Sequence, residues 1–427
     1  MIQRFNGRVI RISRNYLARL RLFRHNARLY LINVILTGLS MGVYRLLLNF
    51  YILSLGYDET LLGLLITISG FSSLIFALPM GFVSDTIGRK KSLIIGGLLI
   101  GLSIFGMILF PSQWMFYAMS VMSGLGQSLW SITMAPFLME NSGEEERTYL
   151  FSFGAGLQML SAFTGNWIGG YLPTLIGNML GVSAVNSRAY AGSLLVVGTM
   201  FILGLVPLLM LRTWQVASDE KSAFTPLTYA KKHPKLLGKL IGPIVITSVG
   251  AGLVMPFMNV FFRVVYHQSD HVIGTIFAWG SLSMGLGMLL APLLADRLGK
   301  MKVVVFSQAL SVPFLILLGF SPWFWLSAGA YFVRNALMNM SNPVYQTFVM
   351  ESVEPGARAT VASLVSMSWN FGWALSPTVS GYLQVKYGFG PPFAGTVLLY
   401  SIAIILYWRF FLHGKDAGVH PAAQPSA

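Results

Sequence analysis

The stretch Gly81-Phe82-Val83-Ser84-Asp85-Thr86-Ile87-Gly88-Arg89-Lys90-Lys91 lies between two apolar runs, each long enough to cross a bilayer. Its chemistry fits a short loop at a membrane surface. Gly88 permits a tight reversal, Asp85 is an anion free to meet a helix N-terminus, and three consecutive cations mark a cytoplasmic face. The pattern recurs 211 residues later as Ala291-Pro292-Leu293-Leu294-Ala295-Asp296-Arg297-Leu298-Gly299-Lys300-Met301-Lys302.

The same offset runs without a gap from Gly63 to Leu172. Gly63 pairs with Gly274, Pro111 with Pro322 and Trp114 with Trp325. Phe137, Met139, Glu140 and Arg147 pair with Phe348, Met350, Glu351 and Arg358, and Gly170-Tyr171-Leu172 with Gly381-Tyr382-Leu383. A chance match in an apolar chain would align scattered Leu and Ile, not charges, Pro and Trp. The chain is therefore a duplicated membrane unit.

The Gly81–Lys91 loop resembles the signature loop between helices 2 and 3 of the major facilitator superfamily. Its weaker copy stands where that family has one, between helices 8 and 9. The resemblance covers residues 29 to 412; Thr86 departs from it, as does Pro292 in place of the first Gly of the copy. It implies an all-α integral membrane protein of the major facilitator fold, with 12 transmembrane helices as two six-helix halves related by an internal repeat.

Composition agrees. Apolar residues make up 55% of the 427 and charged residues only 10%, far from a soluble domain. The net charge of +15 could suggest nucleic acid, but 24 of the 29 Lys and Arg fall in segments expected to be cytoplasmic. Arg188, Arg263 and Lys386 fall outside, and Arg45 and Arg334 within spans. This is positive-inside bias, which sets orientation and argues against a nucleic-acid partner. Cysteine is absent, which excludes disulfides, thiol catalysis and thiolate metal sites.

In order, residues 1–28 form a basic segment with eight Arg and no acid. Ile2, Phe5, Val9, Ile12, Tyr16, Leu20 and Phe23 make one apolar face, which reads as an amphipathic helix on anionic lipid of the inner leaflet; an Arg-rich transit peptide is the alternative. The N-terminal half covers 29–212, with spans 1 to 6 at 29–55, 60–83, 92–110, 114–139, 148–172 and 189–211. A central cytoplasmic loop covers 213–236. The C-terminal half covers 237–412, with spans 7 to 12 at 237–264, 271–294, 303–320, 323–349, 359–383 and 392–412. Segment 173–188 is expected to be an outer loop, and 413–427 a flexible cytoplasmic tail.

No nucleotide loop is complete: Gly154-Ala155-Gly156, Gly250-Ala251-Gly252 and Gly285-Leu286-Gly287 lack a third Gly, a preceding strand and a Lys-Ser/Thr. The six His lie in tails, loops or near outer ends without an intramembrane carboxylate. No enzyme, cofactor or metal site is expected. Small residues within spans allow close helix approach.

Two charged constellations stand out. Glu140 and Arg147 flank the turn between spans 4 and 5, and Glu351 and Arg358 repeat this between spans 10 and 11. With Asp85, Arg89, Asp296 and Lys300 they resemble the family's cytoplasmic charge network, which joins the halves when the inner side closes; the alternative is ordinary topology charges. The Gly165-Asn166-Trp167-Ile168-Gly169-Gly170 and Ser376-Pro377-Thr378-Val379-Ser380-Gly381 segments are similar to the family's antiporter element, or serve plain helix packing.

The resemblance implies that spans 1, 4, 7 and 10 line a central path. Candidate cavity residues are Arg45, Asn49, Gln127, Trp130, Asn259, Arg334, Asn335 and Asn339, with Trp369 and Trp373 on span 11; for any single Asn an interhelical hydrogen bond is the alternative. Arg334 lies roughly 16 Å into its span, where an Arg costs on the order of 2.5–3.5 kcal/mol even on a lenient scale. It must meet water, a carbonyl, an aromatic face or an anion. All fourteen Asp and Glu lie in loops or at span ends, so proton coupling is expected to be weak or to run through groups such as Asp85 or Glu140.

The expected function is movement of a small organic solute by alternating access, as efflux of an amphipathic compound. Alternatives are an organic anion or lipid headgroup bound by Arg45 and Arg334, and a non-transporting receptor. A monomer in the cytoplasmic membrane is expected, both termini inside. Tags at residues 215–230 should then stay unlabelled in intact cells while tags at 173–188 are labelled; labelling at 215–230 instead would break the twelve-span reading.

Overall fold

The computed structural model describes residues 25–140, 144–211, 233–354 and 358–413. The amphipathic segment up to residue 24, most of the central loop and the tail beyond 413 lie outside the described residues. Twelve long spans emerge, and no strand among the described residues. Span 1 is His25–Ser54; span 2 is Glu59–Ile75 and Ala77–Ile87, bent by 55°. Span 3 is Arg89–Leu109, span 4 Gln113–Glu140, span 5 Glu144–Leu180, and span 6 Ser187–Leu203 with Val206–Leu209. Span 7 is Pro234–Val254 and Met258–Val264, joined by the 3-10 turn Met255–Phe257. Spans 8 to 12 are Asp270–Leu298, Lys300–Phe320, Phe324–Glu351, Arg358–Tyr387 and Gly390–Phe411.

Seven of these are long and apolar enough to cross a membrane, or eight with the bent pair. The other four, spans 4, 5, 10 and 11, run 28, 37, 28 and 30 residues and hold much of the interior Asn, Gln and Trp. Hydroxyls within the spans mostly bond back to the carbonyl one turn earlier, as Thr37 does to Asn33, so they need no outside partner.

The duplication is visible in the backbone. Gly88 (φ 88°, ψ 153°) ends span 2 and begins span 3; Gly299 (φ 90°, ψ 146°) does the same between spans 8 and 9. Both occupy a region that favours glycine. The expected outer loop 173–188 is largely helix instead. Span 5 continues through Pro173 to Leu180 and stops at Gly181 (φ 67°), where the Val182 N–H bonds the Gly177 carbonyl at 2.9 Å. Pro173 removes one helical bond, but at membrane depth an open backbone would leave several groups unsatisfied.

Span 1 packs on span 5 and span 3 on span 4; span 7 packs on span 11 and span 9 on span 10. The halves meet along two seams, span 2 with span 11 and span 5 with span 8. Paired glycines make both seams close. A Cβ on Gly63 would run into the Pro377 carbonyl, and one on Gly381 into that of Glu59. At the other seam, a Cβ on Gly274 would lie 2.6 Å from the Asn166 carbonyl, and one on Gly170 2.8 Å from that of Asp270. The repeat thus places Gly63 with Gly274 and Gly170 with Gly381 in equivalent contacts.

The Thr67 and Thr378 hydroxyls are 2.8 Å apart across the first seam. In this cysteine-free chain, Thr67→Cys with Thr378→Cys should form a disulfide under mild oxidation. Adding Gly63→Val should suppress that crosslink, whereas adding Gly329→Ala, which meets open space, should not. Undiminished crosslinking in the Gly63→Val background would show that the seam is not packed this way.

Candidate functional site

The seams close one end of the molecule only. Their contacts run from Gly63, Gly170, Gly274 and Gly381 down to midspan, where Phe71 meets Phe371 and Phe163 meets Trp279. That closed end is opposite the basic loops at Arg89–Lys91 and Lys300–Lys302. Toward the basic end, Leu78, Phe82, Leu289 and Leu293 are exposed. The result is a cleft between the halves, roofed at the far end.

Asn49 and Asn259 form the roof. The Asn49 side-chain amide donates to Asn259 Oδ1 at 2.9 Å and to the Pro256 carbonyl at 3.0 Å. Asn259 donates in turn to the Leu46 carbonyl at 2.8 Å. Both side chains are buried, so these two expected cavity residues join span 1 to span 7 instead of facing a solute. The 3-10 turn at Met255–Phe257 makes this geometric: it frees the Pro256 carbonyl from regular helical bonding and re-aims the tip of span 7.

A second cross-half contact was not legible as functional in the sequence. Arg263, at the end of span 7, pairs with Asp270, at the start of span 8. From the other half, the Tyr190 hydroxyl donates to Asp270 Oδ2 at 2.7 Å and accepts from Arg263 Nη2 at 2.7 Å. The Phe50 ring lies 3.6 Å from the Arg263 guanidinium carbon, a cation–π contact. Asp270 is 7% exposed, unlike an ordinary loop carboxylate. The available signal was a cation kept at the far end, against the charge bias, shortly before an acid.

Beneath the roof, polar stripes are graded toward the basic end. On span 10, Asn335 is buried, Asn339 and Asn342 are partly exposed and Gln346 is exposed. Asn339 donates to the Asn335 carbonyl at 2.9 Å and accepts from Asn342 at 3.3 Å. On span 4, Gln127 and Ser131 are exposed, with Gln127 donating to Ser123 at 3.0 Å and Ser69 at 3.3 Å. Arg45 on span 1 is exposed although deep among the spans.

Other candidates sit elsewhere. Trp130 turns onto span 3, its ring over Gly97. Trp369 and Trp373 are partly buried against the core; the Trp369 carbonyl accepts from Ser248, and Trp373 Nε1 has no hydrogen-bond partner among the described residues. Arg334 is 3% exposed, enclosed within the C-terminal half. It donates to Tyr400 Oη and Met255 Sδ at 2.8 Å each and to Asn335 Oδ1 at 3.3 Å. Span 12, the span 7 turn and span 10 therefore satisfy it, with only Nε left over.

At the basic end, Arg89 donates to Asp85 at 2.6 Å and to Ser84 at 2.9 Å, and Lys300 pairs with Glu351. Each of these contacts stays within one half. Asp296 makes no ion pair among the described residues; the side chains of Glu140, Arg147 and Arg358 lie outside them. Among the described residues no His, Asp and Glu gather to hold a metal.

Tyr190→Phe removes the hydroxyl that bonds both Arg263 and Asp270 across the halves. A hydrogen bond to a charged group is worth about 1.5–3 kcal/mol, so the variant should populate a state open at the far end. Spin labels at Val185→Cys and Tyr387→Cys, both exposed, should gain a longer distance in that background. An unchanged distribution would remove Tyr190 from the seal.

The model of the Major Facilitator Superfamily matches residues 30–245 and 241–426. Among curated proteins, the chain is 23% identical to multidrug resistance protein MdtG of Enterobacter lignolyticus (strain SCF1), over 88% of this chain and 90% of that one. It is also 23% identical to the class H tetracycline resistance protein of Pasteurella multocida, over 86% and 91%. Among solved structures, nucleoside transporter NupG superposes with a TM-score of 0.71 at 16% identity, covering 91% of this chain and 98% of that one. An inward-facing, unoccupied bacterial homolog of the human lysosomal transporter Spinster gives 0.72, at 14% identity over 92% and 96%. With the duplicated halves, the paired loops and a family match over both repeats, the chain belongs to the major facilitator superfamily.

Proposed function

We propose that this chain exports a small amphipathic organic solute across the cytoplasmic membrane by alternating access. One observation carries the reading: two duplicated halves, sealed from midspan to one end, part at the other around a cleft of polar stripes and apolar walls. The basic end faces the cytoplasm by the charge bias, so this conformation is the inward-open stage. Both termini lie on that side. The names of the relatives, multidrug and tetracycline resistance proteins, support export.

The two halves then rock about the glycine seams. Closing the basic end brings Asp85, Arg89, Glu140 and Arg147 toward Asp296, Lys300, Glu351 and Arg358. Exposed pairs of this kind are worth about 0–1 kcal/mol each, weak enough to re-form and break in every cycle. The chain works as a monomer, because the seam between its halves already supplies the rocking interface. Its eight-Arg N-terminal segment rests on anionic lipid of the inner leaflet.

Inside-out vesicles containing the protein should accumulate amphipathic dyes from a chemically diverse panel, and right-side-out vesicles should not. Absence of directional movement for every compound, with the protein folded and inserted, would reject the reading.

A further inference from the structure

Arg45 and Arg334 are the two cations well inside their spans, away from the ends, and their situations are opposite. Arg334 is buried and bonded by its own half. Arg45 is exposed, and among the described residues no hydrogen bond, ion pair or ring contact reaches it. It lies nine residues from Ser54, the far end of span 1, or roughly 14 Å at 1.5 Å per residue. Asn49 is one helical turn nearer that end on the same face, and it bonds Asn259 of the other half at 2.9 Å. That face of span 1 therefore looks across the cleft, and Arg45 projects into it directly beneath the roof.

Charge makes the position specific. Every Asp and Glu of the sequence falls outside the span interiors. The groups that share the cleft wall, such as Gln127, Ser131, Asn339 and Asn342, are neutral. A guanidinium cannot lose its proton at any relevant pH, so the upper cleft is permanently positive within low-dielectric walls that focus its field. While the basic end is open, water hydrates the charge. Once the halves close over the cleft, that water is expelled and an uncompensated guanidinium becomes costly.

We infer that the exported solute is an amphipathic organic anion whose carboxylate, sulfonate or phosphate group docks on Arg45. The inference rests on the transport reading above and names the substrate class of that cleft. The anion supplies the counter-charge that the protein withholds. Arg45 is consequently a specificity-determining residue and a brake on empty cycling: the loaded cleft closes at the basic end, and the empty one resists.

A matched trio tests this: 4-octylbenzoate, 4-octylbenzamide and 4-octylbenzyltrimethylammonium, alike in apolar body and different in charge. The full chain is placed in phosphatidylcholine nanodiscs, with spin labels at Thr86→Cys and Leu298→Cys spanning the basic end. The benzoate should bind, raise the melting temperature and add a shorter label distance, while the amide and ammonium bind about tenfold more weakly or worse. Arg45→Gln should erase that preference, and Arg45→Lys should retain the preference at reduced affinity.

Equal binding of the ammonium or amide by the wild-type chain would overturn the inference, as would benzoate affinity unaltered in Arg45→Gln. Closure produced by phosphatidylglycerol nanodiscs without benzoate would assign Arg45 to a lipid headgroup and also overturn it. In vesicles, movement of the ammonium but not the benzoate would reject the anion and leave transport standing. Movement of no compound of any charge would reject both.

Discussion

Near midspan, Arg334 meets Tyr400, the Met255 thioether and Asn335, and this small cluster states the constraint that orders the molecule. Hydrocarbon offers a polar group no partner, so the protein must supply one or open a path for water. At Arg334 it supplies partners from three spans, which fixes span 10 against the turn in span 7. Serine and threonine meet the same demand by bonding back along their own helices. Arg45 is met by no such partner among the described residues and stays exposed. Two cations at similar depth are thus handled in opposite ways, one enclosed by the C-terminal half and one left open.

The turn that Arg334 steadies also shapes the roof. Met255–Phe257 interrupts span 7, and the short helix beyond it carries Asn259 and Arg263. Both reach the N-terminal half, through Asn49 and Tyr190 respectively. The polar closure of the far end outside the span 2–span 11 seam is therefore gathered on the tip of span 7 and the first residue of span 8. The glycine seams beside them supply area and shape. A closure built from a few directional bonds over a tightly packed seam suits a switch between two discrete packings.

Duplication explains the scaffold but not the chemistry. Gly88 and Gly299 share one backbone conformation, and the glycine pairs of the seams occupy equivalent contacts. Charge is less symmetric. Glu59 stands 211 residues before Asp270, but Ile52 stands where the copy would need Arg263, and Pro256 stands at the copy of Arg45. The two halves thus fold alike and act differently, with the far-end ion pair on one seam and the cleft cation on one span.

The duplicated twelve-span architecture was legible before any folding, because span length, loop charge and the 211-residue offset are one-dimensional quantities that a bilayer reads directly. The sequence also marked Arg45, Arg334 and the glycines of spans 5 and 11 as unusual. What each one contacts emerged only when the helices were packed together. Asn49 and Asn259 are equally consistent with a cavity or a clasp until the turn at Pro256 brings them within 2.9 Å. Helical periodicity marks a polar face but not the neighbour it meets, so Trp130 fell on span 3 and Arg334 behind span 7. Arg263 and Asp270 read as peripheral charges, since a sequence cannot show that Tyr190 and Phe50 arrive from the other half to bury them. Partnership across a seam depends on how two halves dock, and that distance is fixed only when backbones approach at Gly63, Gly170, Gly274 and Gly381.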